Sequence, residues 1–367
     1  MGYDVPLSQF LISGLRHGFD IGYTGPNVSM ECRNLKSARQ NPDIVEKYLT
    51  DETTLGRIRG PFNDPPFPIF RCSPLGIVPK KASGKFRAIL NLSAPFGQSV
   101  NDYISKADYS LSYITVDRAI NMILDLGRGC FLSKVDIKDA FRILPVKRGQ
   151  WYLLGILWKG RYYFDSRLPM GSRSSPFIFD TLAAALEWIC SYKYELEHLC
   201  HLLDDFFAAE HEWEKGNALS VILNIFFQLG IPVAPEKVFG PCTCLEFLGI
   251  TLDSLEFVAS LSLEKIEALK GKLEVTKREL LSLIGSLSFA CKVVVPGRSF
   301  LSRLISLSCS TRELEYKIYL SKQVKEDLRL WLVFSQCWNG RNFFLERDFT
   351  SSADLDFATD AASGKGY

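Results

Sequence analysis

Residues 130–141, CFLSKVDIKDAF, and residues 199–209, LCHLLDDFFAA, decide how this chain folds. In the first, a short apolar strand over 130–135 runs directly into Asp136. In the second, two apolar strands flank the acidic pair Asp204-Asp205, which predicts a hairpin. Three carboxylates therefore fall at the ends of apolar strands. Set side by side in hydrophobic surroundings, they repel one another and are costly to bury unless they share a cation. Two magnesium ions about 4 Å apart would relieve that repulsion and would also drive in-line phosphoryl transfer. Read by itself, Asp204-Asp205 is equally compatible with a solvated hairpin turn.

Working outward, Val78 and 86–92 predict two strands around the turn KKASGK, with Gly84 at the tip. Residues 59–79 carry six prolines and predict an extended loop crossing a surface. The first 50 or so residues are rich in Gly, Asn and Arg and show little periodicity. Helical spacing marks Val116–Leu126, 175–190 (with Pro176 in its first turn) and 217–229. Residues 152–164 predict two strands around Trp158–Gly160, and 246–251 a short strand. The last third turns helical: Leu263, Ile266, Leu269 and Leu273 share one face. Thr276 and Glu279 form a capping-box pattern ahead of Leu280, Leu283, Ile284 and Leu287, and 321–334 predicts a further helix. No internal repeat stands out.

The balance of 43 Lys+Arg against 41 Asp+Glu gives a net charge of +2, so any nucleic-acid binding must use locally clustered charge. With 47% hydrophobic and 23% charged residues over 367 positions, the chain has material for two or three globular domains. Its ten cysteines form no regular framework, and the first fifteen residues do not read as a signal peptide. Reduced thiols in an intracellular compartment are expected, in cytoplasm or nucleus without a feature that decides between them. Cys242 and Cys244, and the cluster His198, Cys200, His201 and His211, lack the paired spacing of zinc sites, so no structural zinc is expected. The uncharged run 216–235 predicts an amphipathic helix stopping at Gly230 rather than a membrane span.

Three further segments sharpen the acidic triplet. Phe141 follows Asp136 by five residues. Residues 168–179, LPMGSRSSPFIF, read as a Gly loop opening a helix, suited to a phosphate chain. Phe247–Ile250 is a short turn after Glu236-Lys237. In this order and spacing, over about 115 residues, these segments resemble motifs A to E of reverse transcriptases. The stretch FRCSPLGIVPKKASGKFRAILNLS resembles the fingers of the same polymerases. Between Arg71 and Arg87 it holds five basic residues and no acidic one. Residues 280–305, with HGFDIGYTGP and GPFNDPPFPIFRCSPLG, resemble the tyrosine-recombinase (DIRS or Ngaro-like) retrotransposons of animals.

The resemblance implies an α+β right-hand polymerase fold. It places an N-terminal extension at 1–44, fingers and palm at 45–251, a helical thumb and connection at 252–345, and the start of an RNase H-like domain at 346–367. It implies RNA-directed DNA polymerase activity with two Mg²⁺ ions (Mn²⁺ as a substitute), on an RNA or DNA template with primer and dNTPs, and no membrane partner. Asp136, Asp204 and Asp205 match the metal carboxylates, and Ile137 would offer a backbone carbonyl. Lys80 and Arg87 would hold the triphosphate, although a solvated basic turn is the alternative for Lys80, Lys81 and Lys85. Phe141 matches the aromatic beneath the sugar that excludes a 2′-hydroxyl, with a plain core role as the alternative. Met170 and Gly171 would line the nucleotide. Lys237 matches a proton donor to the leaving pyrophosphate, and Phe247, Leu248, Gly249 and Ile250 the primer grip. Two positions depart from common patterns: Leu202 stands where many relatives carry an aromatic, and Met170 where most retroviral ones carry Gln. Asp360 matches one of four RNase H carboxylates; with the sequence stopping at Tyr367, no RNase H activity is expected, and for this chain by itself an unstructured stub is the preferred reading of 355–367. The competing readings are a decayed or co-opted fragment that binds nucleic acid without catalysis, and part of a longer polypeptide with ribonuclease H activity.

Overall fold

The computed structural model describes residues 2–79, 86–261, 274–291, 295–311, 313–337 and 342–343. Lys80, Lys81, Lys85, the helix expected around Leu263–Leu273 and Asp360 lie outside the described residues. The chain divides into two compact units that interleave along the sequence. The first comprises Met1–Thr115, Ser133–Ala208 and Gly216–Phe239, and the second Val116–Leu132, Ala209–Lys215 and Gly240–Tyr367.

The first unit is built around one apolar core in which Val135, Ile137, Phe179, Phe206 and Phe226 are all but fully buried. Phe206 meets Phe226 edge to face at 5.1 Å, which fixes the helix Asn217–Gln228 against the strand Asp205–Glu210. That strand pairs antiparallel with Leu199–Leu202, Asp205 opposite Leu202, so the expected hairpin forms with Leu203-Asp204 as its two-residue turn. Leu203 has φ +53°, a left-handed conformation that a tight hairpin requires. The strand Phe131–Asp136 lies beside Asp205–Glu210 in the same sheet. Leu75–Pro79 and Phe86–Leu90 pair antiparallel, Val78 opposite Arg87, as the hairpin reading anticipates. Gly155–Trp158 and Arg161–Asp165 likewise pair around Lys159-Gly160.

One segment that carried no expectation proves helical, and one expectation for this unit fails. The first 50 residues are largely helical, at Val5–His17, Lys36–Gln40 and Pro42–Thr54. Their signals were local: Asp4 caps the first helix by accepting from the Leu7 N–H at 2.9 Å, and Pro6 sits in its first turn. The proline-rich stretch is not a surface loop throughout. Ile58–Phe62 pairs with Arg161–Asp165, while Phe70, Arg71, Cys72 and Ser73 are buried. Phe62, Phe67 and Phe70 gather around Phe164 as a small aromatic core, Phe62 stacked on Phe164 at 5.9 Å, so burial of rings overrides the prolines.

In the second unit the helix Val116–Leu126 has the expected limits. The single strand expected over 246–251 is instead two, Cys244–Phe247 and Ile250–Asp253, joined by Leu248-Gly249 with φ +50° and +75°. Two successive positive φ values make the twist-matched hairpin turn, and Gly249 accommodates its half at no steric cost. Thr276 and Glu279 form the expected capping box, opening the helix Lys277–Ala290 with Leu280 and Leu287 buried. Among the described residues no helix is long and apolar enough to cross a membrane.

Candidate active site

Backbone bonds, rather than side chains, bring the acidic residues together. Asp136 ends its strand 4% exposed. The next residue, Ile137, donates its N–H to the Asp204 carbonyl at 2.9 Å, tying the strand end to the hairpin turn. On the other side, Ala234 donates its N–H to the Asp136 carbonyl at 3.0 Å. The turn Pro235–Lys237 follows at once, which swings the Lys237 ammonium to 2.7 Å from Asp136 Oδ2. Lys134 approaches from the strand itself, its Nζ 3.2 Å from Asp205 Oδ1. That oxygen is shielded from solvent yet accepts no hydrogen bond of good geometry, so its pairing is ionic only.

The electrostatics follow from this crowding. Burial pushes the Asp136 carboxyl up to about 6, with Asp204 and Asp205 adding to the rise and the bond from Lys237 opposing it. Asp204 is raised by burial and then by Asp205. Burial works against the Lys237 ammonium, but Asp136 and its acidic neighbours raise it overall. Among the described residues no three His, Cys, Asp or Glu side chains are gathered closely enough to hold a metal as they stand. The triplet nonetheless fits a cation by its chemistry: clustered hard oxygen donors and a mutual repulsion that positive charge relieves, met in part by Lys134 on Asp205 and Lys237 on Asp136. Of His198, Cys200, His201 and His211, the structure gives His201 another use. His201 pairs with Glu187 and lies 3.5 Å from Asp180, both on the helix Ser175–Trp188.

The remaining site residues distribute as follows. Phe141 is half-buried with its ring edge-on to Phe179 at 5.6 Å, so it leans on the core while keeping an exposed side. Arg87 is exposed on its strand. Met170 is half-buried, and Gly171 has φ +119°, with the Leu90 carbonyl 2.7 Å from where a Cβ would stand. Only glycine fits there. Phe247 and Ile250 are fully buried within the second unit, leaving Leu248-Gly249 as the accessible part of that segment. Lys134 and the His201 brace were missed in the sequence. Lys134 carried a signal: two residues before Asp136 on a strand, it shares that residue's face.

The reverse transcriptase (RNA-dependent DNA polymerase) family matches residues 78–252. Those residues form a reverse transcriptase domain. They hold the strand of Asp136, the hairpin of Asp204-Asp205 and the turn of Lys237. The chain is 22% identical over 237 residues to the Pro-Pol polyprotein of simian foamy virus type 1, covering 64% of this chain and 18% of that protein. It is 20% identical over 294 residues to the feline foamy virus Pro-Pol polyprotein, covering 79% of this chain and 23% of that protein. The fold is that of a foamy viral protease-reverse transcriptase solved with an RNA/DNA hybrid, at TM-score 0.65, 17% identity, 90% of this chain and 41% of that one. A second such structure, the dRH form with double-stranded DNA, gives TM-score 0.63 at 18% identity, over 89% of this chain and 52% of that one. The reverse transcriptase domain is thus set in a right-hand polymerase fold of mixed helix and sheet.

Proposed function

We propose that this chain copies nucleic acid into DNA, adding dNTPs to a primer 3′-hydroxyl. The observation that carries it is the meeting of Asp136 with the hairpin of Asp204 and Asp205 beside Lys237, held by the Ile137 and Ala234 backbone bonds. In the reaction the 3′-oxygen forms a bond to the α-phosphorus, the bond to pyrophosphate breaks, and the hydroxyl proton is lost. Asp136, Asp204 and Asp205, with the Ile137 carbonyl, would hold two Mg²⁺ ions, which supply an acidified hydroxyl and neutralise charge on the phosphates. Lys237, released from Asp136, donates a proton to pyrophosphate. Lys80 and Arg87 bind the triphosphate, and Phe141, Met170 and Gly171 bound the sugar and base. Leu248-Gly249, between buried Phe247 and Ile250, grips the primer strand.

On this reading 45–251 works as fingers and palm, 252–345 as thumb and connection, and 346–367 opens an RNase H-like domain. The parent element is a retroelement, and residues 280–305 favour the tyrosine-recombinase kind. The template duplex is held through phosphates and shape, as suits a protein whose basic residues cluster locally. Primer extension on an RNA template with Mg²⁺ tests the reading. Extension that vanishes with EDTA and in Asp204→Asn supports it. Salt-sensitive RNA binding without extension would instead leave a nucleic-acid-binding remnant.

A further inference from the structure

We infer that Asn101 positions the Gly171 loop for the incoming nucleotide, an inference that rests on the polymerase reading above. Asn101 is 5% exposed and opens the short helical turn Asn101–Tyr103. Its Nδ2 donates to the Gly171 carbonyl at 2.8 Å and to the Ser93 hydroxyl at 2.8 Å. Its Oδ1 accepts from the Arg173 N–H at 2.8 Å. One side chain, about seventy residues away in sequence, thus grips the main chain on both sides of Ser172. The same turn takes the Arg173 side chain as well, whose Nη1 donates to the Ile104 carbonyl at 2.7 Å.

The grip is itself built. Asn101 donates its N–H to the Leu92 carbonyl at 2.9 Å. Asp102 Oδ2 accepts from the Ser99 N–H at 2.9 Å and the Ser99 hydroxyl at 2.7 Å, closing the turn. On its far side Gly171 lies against the Leu90 carbonyl, at the end of the strand that bears Arg87. Asn101 therefore fixes the register between the Gly171 loop and the Arg87 strand, the two elements assigned to the nucleotide. Only an amide supplies two donors, one to the Gly171 carbonyl and one to the Ser93 hydroxyl, together with an acceptor for the Arg173 N–H at this point. Asn101 touches neither substrate nor metal in this scheme; it is a positioning residue.

The test pairs steady-state primer extension with amide hydrogen exchange on the full chain. Asn101→Ala is compared with Gln150→Ala, a control that removes another bridging amide, which accepts from the Ile21 N–H at 2.9 Å and donates to Asp20 at 2.7 Å. The expected result is a rise in KM for dNTP of about tenfold in Asn101→Ala with faster exchange at the Arg173 amide, and neither change in Gln150→Ala. Asn101→Asp keeps the acceptor for Arg173 but loses the donors, so it should raise KM while leaving the Arg173 amide protected. It also stands in if Asn101→Ala does not fold. An unchanged KM in both Asn101 variants, or an equal rise in Gln150→Ala, overturns the inference while the polymerase reading stands. A wild-type chain that extends no primer overturns that reading, and the inference with it.

Discussion

At Gly171 a single missing carbon decides whether the loop can form. A Cβ would stand 2.7 Å from the Leu90 carbonyl, and the backbone has φ +119°. Neither obstacle is a flexible side-chain end, so Gly171→Ala should cost about 1–3 kcal/mol in urea unfolding and abolish extension. Phe141 makes a separable prediction. Because its ring rests on Phe179 and keeps an open side, Phe141→Ala should admit ribonucleotides, read as a lower ratio of dNTP to rNTP incorporation. Unchanged discrimination would return Phe141 to the core. At this scale the sequence was legible in placement: Asp136 and Asp204-Asp205 were expected at the ends of apolar strands, and they stand there side by side. It was illegible where a role depends on a distant partner: nothing near Asn101 announces Gly171, and nothing near His201 announces Glu187.

Two polar clusters between elements hold the acidic hairpin and the helical turn Ala140–Ile143 that follows Asp136. His201, on the hairpin strand Leu199–Leu202, is braced by Asp180 and Glu187 of the neighbouring helix. Burial disfavours its imidazolium, but the two carboxylates outweigh it and push the group up to about 9. A folded-state value raised above the ordinary 6.5 means the contribution is fully present below about pH 6.5 and is lost as pH rises through about 9. The stability difference between wild type and His201→Gln should therefore be on the order of 3 kcal/mol near pH 6 and shrink towards pH 10. A pH-independent difference would refute the brace. Arg142, 7% exposed, ties Glu52 at 2.6 Å to Asp165 at 2.5 Å just past Phe141. Arg142→Met strands the buried Asp165 carboxylate and leaves Glu52 only Arg57, at 3.4 Å, so it should cost about 3–5 kcal/mol in chemical unfolding. The elements themselves were mostly readable from period and turn chemistry. The exception was tertiary: rings of the proline-rich stretch drawn into a core.

For the molecule as a whole, the near-neutral net charge of +2 means that template binding, as proposed, would rest on locally clustered basic residues. Affinity for a primer-template should fall at least about tenfold between about 50 and 200 mM salt and be indifferent to sequence. The chain spans 18% and 23% of the foamy virus polyproteins it resembles, so that binding is a property to be measured on this chain itself. The most direct measurement is single-turnover incorporation of one dNTP on an RNA template with Mg²⁺, across wild type, Asp136→Asn, Asp204→Asn and Asp139→Asn. Asp139 is the internal control, a neighbouring carboxylate bonded to Arg57 at 2.6 Å rather than to the acidic triplet. Asp136→Asn and Asp204→Asn should lose about a thousandfold or more, the several kcal/mol that metal-held charge supplies, while Asp139→Asn keeps most of the wild-type rate. Incorporation by Asp204→Asn at the wild-type rate would contradict the account.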